Sequence, residues 1–180
     1  MSLDVKGGVA TITDFIHRAR VPPEASARAA TAVKDTIGVM LAGVGEPAAR
    51  IAQAMAGEDG VGTCRVLGTS LQTSPELAAL ANGVSAHSLD YDDMCFVSLA
   101  HPSCALVPAI LATGELVHAR SSALLDAYVI GFELECRLGN VMNPRHYHQR
   151  GWHCTSSIGT VGAAAAAARM LGLGVQATQH

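Results

Sequence analysis

Two short stretches concentrate side chains that can move protons or hold charge. The first is His87-Ser88-Leu89-Asp90-Tyr91-Asp92-Asp93, continuing to His101-Pro102-Ser103, with two imidazoles and three carboxylates. The second is His146-Tyr147-His148-Gln149-Arg150-Gly151-Trp152-His153-Cys154-Thr155. An imidazole changes protonation near neutral pH unaided, and a neighbouring carboxylate fixes its tautomer and stabilises its charged form. A helix N-terminus offers backbone N–H groups and a positive dipole end to a bound carboxylate. Both stretches stand directly before segments with helical patterning, so together they suit acid/base chemistry on a small anion.

Other readings of the same residues stay open. Asp92 and Asp93 equally suit turn caps or solvated positions. His87, at a helix end, is expected to interact with the last helical carbonyls. His146 and His148 suit a polar surface, and His17 and His118, with no polar cluster beside them, read as structural. His87, Asp90, Asp92 and Asp93 resemble a set of hard metal ligands. Yet no HExxH, EF-hand loop or paired Cys/His spacing accompanies them, and no metal is expected. Gly159 and Gly162, followed by Ala163 to Ala168, form a small-residue packing face without the strand–turn context of a dinucleotide site.

The elements that must position these groups read as helices. Val9–Ala19 has Ile12, Phe15 and Ile16 on one face, with Thr11 or Thr13 as a cap. Glu24–Val44 repeats apolar residues at helical spacing (Ala29, Val33, Ile37, Met40, Leu41, Val44) after Pro22-Pro23. Pro47–Ala56 is a short helix. Gly60–Thr69 alternates between glycines and reads as a short strand or extended segment. Ser74-Pro75-Glu76 gives an N-cap, a first-turn Pro and an acid for a helix to about Ser88. Leu89–Ser103 is irregular, and a helix runs from near Pro102 to about Ala119. Ser121 is expected to cap Ser122–Leu138, a helix apolar almost all round and therefore buried. Asn140–Trp152 reads as a loop and Thr155–Leu171 as a small-residue helix ended by Gly172. The fold expected is all-α, with at most one short strand pair, in one domain.

Composition narrows the function classes. The 180 residues are 49% hydrophobic and 15% charged, the opposite of a disordered chain. A net charge of −3, a pI near 6.2 and the absence of any Lys/Arg run argue against nucleic-acid binding. Five cysteines, an odd number without a CxxC, argue against a disulfide scaffold or a cysteine-rich zinc site. Cys104 and Cys136 read as packed thiols. The N-terminal stretch Met1–Gly8 has no apolar core and is not a signal peptide, and no apolar run reaches membrane-spanning length. A cytoplasmic protein is expected, with no membrane partner. The sequence stops as Val175–His180 opens another helix, the ending expected of a truncated chain.

Specific motifs then carry a resemblance. Ala81-Asn82-Gly83-Val84-Ser85-Ala86-His87-Ser88-Leu89-Asp90-Tyr91-Asp92-Asp93, with His101-Pro102-Ser103, resembles the signature of the MmgE/PrpD family. So do Arg150-Gly151-Trp152-His153-Cys154-Thr155, Gly159–Ala165, Asp35-Thr36-Ile37-Gly38 and Leu41-Ala42-Gly43. The resemblance implies that residues 1–180 are the N-terminal portion of a larger helical domain, with the family's α/β lid and later lysines absent. It implies a homodimer and a cofactor-independent lyase or isomerase of small polycarboxylates. The family's reactions are dehydration of 2-methylcitrate, decarboxylation of cis-aconitate and epimerisation of iminodisuccinate. By position it assigns Asp90, His101 and His153 to the active site, with Tyr147 as a further phenolic acid/base. Such a chain is complete only in a longer protein; alone, the alternative is an inactive helical domain that self-associates.

Overall fold

The computed structural model describes residues 5–59 and 61–180. Met1–Asp4, half of the stretch read as lacking a leader, and Gly60, the first residue of the expected strand, lie outside the described residues. The chain is mainly helical: α1 (Val5–Arg18), α2 (Pro23–Gly43), α3 (Pro47–Asp59), α4 (Pro75–His87), α5 (Pro102–Leu116), α6 (Ser121–Met142), α7 (Cys154–Leu171) and α8 (Val175–Gln179). Between α3 and α4, β1 (Cys64–Arg65) pairs antiparallel with β2 (Gln72–Thr73), matching Cys64 to Thr73 and Arg65 to Gln72. Among the described residues no helix is long and apolar enough to cross a membrane.

Local chemistry sets several ends as expected. Ser74 caps α4 by accepting from Leu77 N, with Pro75 in the first turn. Gly172 closes α7 in the left-handed conformation at φ 61°. Other expectations need correction. Thr11 and Thr13 do not cap α1, because the helix starts earlier and their hydroxyls bond the carbonyls of Gly7 and Val9, four residues back. Arg120, not Ser121, occupies the N-cap of α6, with no side-chain cap bond. The expected loop Asn140–Trp152 is partly ordered: α6 continues to Met142 and Arg145–Gln149 forms a π-helical turn. Within the segment expected as a short strand or extended stretch, β1 takes two residues and the chain returns through a turn at Gly68, φ 75°.

The centre of the bundle is α5, packed against α4, α6 and α7, with α2 covering α4 and α6. Leu106, Val107 and Ile110 of α5 are fully buried with Met40, Ala86 and Ala166 around them. Helices α6 and α7 meet backbone to backbone. A Cβ on Gly131 would come within 2.8 Å of the Gly162 carbonyl oxygen, and one on Gly162 would strike the Glu135 side chain. The expected small-residue face is therefore divided: Gly162 closes the α6–α7 seam, and Gly159 faces Ala105 of α5. Gly162→Ala is expected to cost about 1–3 kcal/mol through overpacking, read as a lower urea midpoint at unchanged slope.

Helix α1 is held from the far end of the chain. Ile16 packs with Ile130, Leu134 and Ala165. Arg169 donates to the carbonyls of Ile16 (2.7 Å), His17 (3.0 Å) and Ala19 (3.2 Å) and pairs with Asp126 at 2.8 Å. The ring of His17 meets the Thr178 hydroxyl at 3.0 Å, a structural use of that histidine as expected.

Candidate active site

The site is built where α4 ends and α5 and α7 begin. After His87, the last residue of α4, the chain turns sharply, and Asp90 takes a positive φ of 56°. Asp tolerates this region better than most residues. Asp93 then reaches forward to the start of α5, accepting from Ser103 N at 3.0 Å and from Ser103 Oγ at 2.6 Å. The Ser103 hydroxyl also meets Tyr128 OH at 2.7 Å. Asp93 is thus a helix cap supplied from outside the helix, neither the turn cap nor the solvated position that the sequence left open. His101 and His153 occupy the N-cap positions of α5 and α7. The two helix starts are tied together, because His101 N donates to Thr155 Oγ1 at 3.0 Å.

Asp92 is neither solvated nor a turn cap. Its side chain is fully buried and is shared by two imidazoles. His87 Nδ1 lies 2.9 Å from Asp92 Oδ2 and 3.1 Å from Oδ1. His101 Nδ1, buried and without a hydrogen bond, stands 3.5 Å from Asp92 Oδ1. On its other side, His101 Nε2 is 3.7 Å from Asp90 Oδ1. The two rings meet edge-on with centroids 4.9 Å apart. A buried carboxylate requires proton donors, so Asp92 favours the Nδ1–H tautomer of both rings. Each Nε2 is then the nitrogen left to exchange a proton with a bound molecule, and at His101 the Asp90 carboxylate favours the protonated form.

His87 and His153 line the same open groove of about 890 Å³, together with Leu80, Val84, Cys104 and Thr160. The structure thus brings Asp90 against His101 and sets His153 on the groove that His87 also lines, while the two segments join through Thr155; Asp90 and His101 stand behind His87 and are not themselves among the groove's lining residues. It does not bring Tyr147 to them. That ring packs edge-on against His148 at 5.1 Å, is 43% exposed, and is not among the groove's lining residues.

His87 and Asp92 are the residues whose part in this cluster the sequence reading missed. His87 stands at the helix end as expected, but its ring is engaged by Asp92 rather than by α4 carbonyls. The signal was present as an imidazole five residues before a carboxylate across a tight turn. The same four residues, His87, Asp90, Asp92 and His101, offer one donor atom each within 4.8 Å of one another, so they could hold a cation. This set exchanges Asp93, committed to capping α5, for His101.

A mainly helical fold whose imidazoles and carboxylates gather at three helix ends defines a distinct class, and the chain belongs to the MmgE/PrpD family. The model of the MmgE/PrpD N-terminal domain matches residues 10–180. Among curated proteins, the chain is similar to the cis-aconitate decarboxylase-like protein oryM of Aspergillus oryzae, 30% identical over 88% of this chain and 35% of the relative. It is 35% identical to human cis-aconitate decarboxylase over 57% of this chain and 22% of the relative. It is 26% identical to the cis-aconitate decarboxylase of Aspergillus terreus over 85% of this chain and 32% of the relative. The chain thus spans about a third or less of the length of these curated relatives.

Proposed function

We propose that this chain supplies the acid/base part of the active site of a cofactor-independent lyase of small polycarboxylates, with decarboxylation of a cis-aconitate-like tricarboxylate as the favoured reaction. The observation that carries the reading is His101 set between the buried Asp92 and the exposed Asp90, beside His87 and the groove that His153 lines. Three relatives named for that decarboxylation favour it over dehydration or epimerisation.

In such a reaction the bond to one carboxylate carbon breaks and carbon dioxide leaves. The electron pair stays on the remaining carbon skeleton, and an imidazolium delivers a proton to carbon. His101 protonated at Nε2 is suited to this step. Asp92 keeps Nδ1 protonated, Asp90 stabilises the cation before transfer, and the neutral ring left afterwards is reprotonated from solvent. His153 binds a second substrate carboxylate alongside the first-turn N–H groups, a role supported by its N-cap position on α7. Further chain, of the length the relatives have, completes the site by adding cationic groups and excluding water. Exposed Tyr91, Phe96 and Trp152 around the site loops support burial against further protein, a second copy included.

Titrating the chain with cis-aconitate while following the histidine ring C–H signals by NMR tests the binding part. Saturable shifts of the His87, His101 and His153 signals are expected. Shifts confined to histidines remote from this cluster, such as His17 and His118, would remove the proposal.

A further inference from the structure

Two cysteines that the proposed chemistry does not use lie side by side next to the site loop. Cys95 is in the connection between α4 and α5, and Cys136 is on α6; their sulfurs are 3.7 Å apart. Both thiols are free and half-buried, whereas Cys64, Cys104 and Cys154 are buried. We propose that Cys95 and Cys136 form a peroxide-sensitive dithiol, a modification site that closes to an intramolecular disulfide and staples the site loop to α6. This inference is independent of the lyase reading.

The backbone around the pair is already assembled for closure. Cys95 and Ala100 exchange N–H···O bonds of 2.9 and 3.4 Å, closing the loop on itself one residue before His101. Ser98 rests on α6 so closely that a Cβ on Gly139 would collide with the Ser98 Cα. Asn143 Nδ2 donates to the Ser98 carbonyl at 3.0 Å. Gly139 is one helical turn beyond Cys136, so the loop is fixed to the face of α6 that carries the second thiol. A disulfide needs the sulfurs to approach to about 2.05 Å, a side-chain movement of less than 2 Å that leaves those anchors in place.

The pair is also chemically asymmetric. Burial pushes the Cys95 thiol up, but hydrogen bonds from Ser98, from the Val97 backbone and from Cys136 outweigh it and hold Cys95 below its ordinary range. Burial, then the Cys95 charge and its hydrogen bond, push Cys136 up to about 12. Cys95 is therefore the attacking thiolate and Cys136 the donor to it. With hydrogen peroxide as oxidant, the Cys95 sulfur bonds to one peroxide oxygen, the O–O bond breaks, and hydroxide leaves as water after taking a proton. The resulting sulfenic acid no longer carries the charge that raised Cys136. Cys136 then loses its proton, its sulfur attacks the Cys95 sulfur, the S–O bond breaks, and a second water departs. Two thiols and one peroxide give one disulfide and two waters.

The test is thiol mapping of the purified protein after hydrogen peroxide treatment, with alkylation in denaturant. The expected result is loss of two of the five thiols, recovered by dithiothreitol, with Cys95 and Cys136 in one cross-linked peptide of a single chain. In Cys136→Ser, Cys95 sulfenic acid should persist and be trapped by dimedone, where the parent protein gives little adduct. Full alkylation of both cysteines after peroxide would overturn the proposal. So would a cross-link between two chains, or equal dimedone labelling with and without Cys136.

Discussion

Replacing His101 by Ala is expected to lower kcat by about 10²–10⁴-fold, the usual contribution of a positioned general acid or base. The assay uses the longest chain that the gene encodes. The fold should survive, because what His101 gives the scaffold is backbone: its N–H bonds Thr155 and its carbonyl accepts from Cys104. Only the ring is lost, and Asp92 keeps His87 as a partner. Asp92→Asn should have a comparable effect on kcat, since an amide there no longer holds the Nδ1–H tautomer of two rings. Asp90→Asn should have a smaller effect, because that side chain is 79% exposed and water screens its charge. Near-normal turnover of His101→Ala with an unchanged circular dichroism spectrum would remove the acid/base role.

Glu135→Gln is the second large effect, and it concerns stability. Glu135 is wholly buried on α6 against the α7 seam, and neither carboxylate oxygen has a hydrogen-bond partner among the described residues. Burial, and then the charges of Asp93 and Cys95, raise its pKa from 4.5 to about 8. A carboxyl whose folded pKa lies above its unfolded value keeps a proton on folding. Its neutral form is therefore tolerated at low pH, and stability falls as pH rises from the unfolded value towards the folded one. Above that value both states are ionised and the slope vanishes. At about 1.4 kcal/mol per pH unit, the full fall is on the order of 5 kcal/mol. The amide of Glu135→Gln is neutral throughout, so the variant should be the more stable by a few kcal/mol near about pH 9 and nearly equal to the parent near about pH 4. Denaturant titrations across that range read the difference. A difference that does not change with pH would show that Glu135 is not held protonated.

These two residues mark what the sequence made legible and what it did not. Ser74-Pro75-Glu76 and Gly172 were readable because the chemistry of a cap is local: the hydroxyl, the ring-fixed φ and the left-handed closure act within one turn. Thr11 and Thr13 misled because a threonine hydroxyl satisfies a carbonyl four residues back as readily as it caps. The two polar stretches stood out by composition, and the family resemblance selected Asp90, His101 and His153 within them. Composition could not divide the labour between Asp92 and Asp93, adjacent and chemically identical. One caps α5 through Ser103, and the other lies buried between two imidazoles, a difference made by the packing of α4 against α5. Glu135 went unnoticed inside a helix read as apolar all round, because its burial comes from the approach of Gly162 in α7 and not from its own neighbours in sequence.

The anchoring of α1 has a consequence for the order in which the molecule assembles. Its carbonyls are held by Arg169, 153 and 152 residues away for Ile16 and His17, and its apolar face rests on α6 and α7. A nascent chain therefore releases α1 about 150 residues before the arginine that anchors it. An isolated helix of 14 residues is marginal in water. Until Arg169 has left the ribosome, α1 is an amphipathic segment without its partner, open to chaperones and proteases. In the finished protein α1 lies outside the main core that α5 centres, so amide exchange in α1 should run ahead of α5, through a local undocking that leaves the rest of the bundle closed.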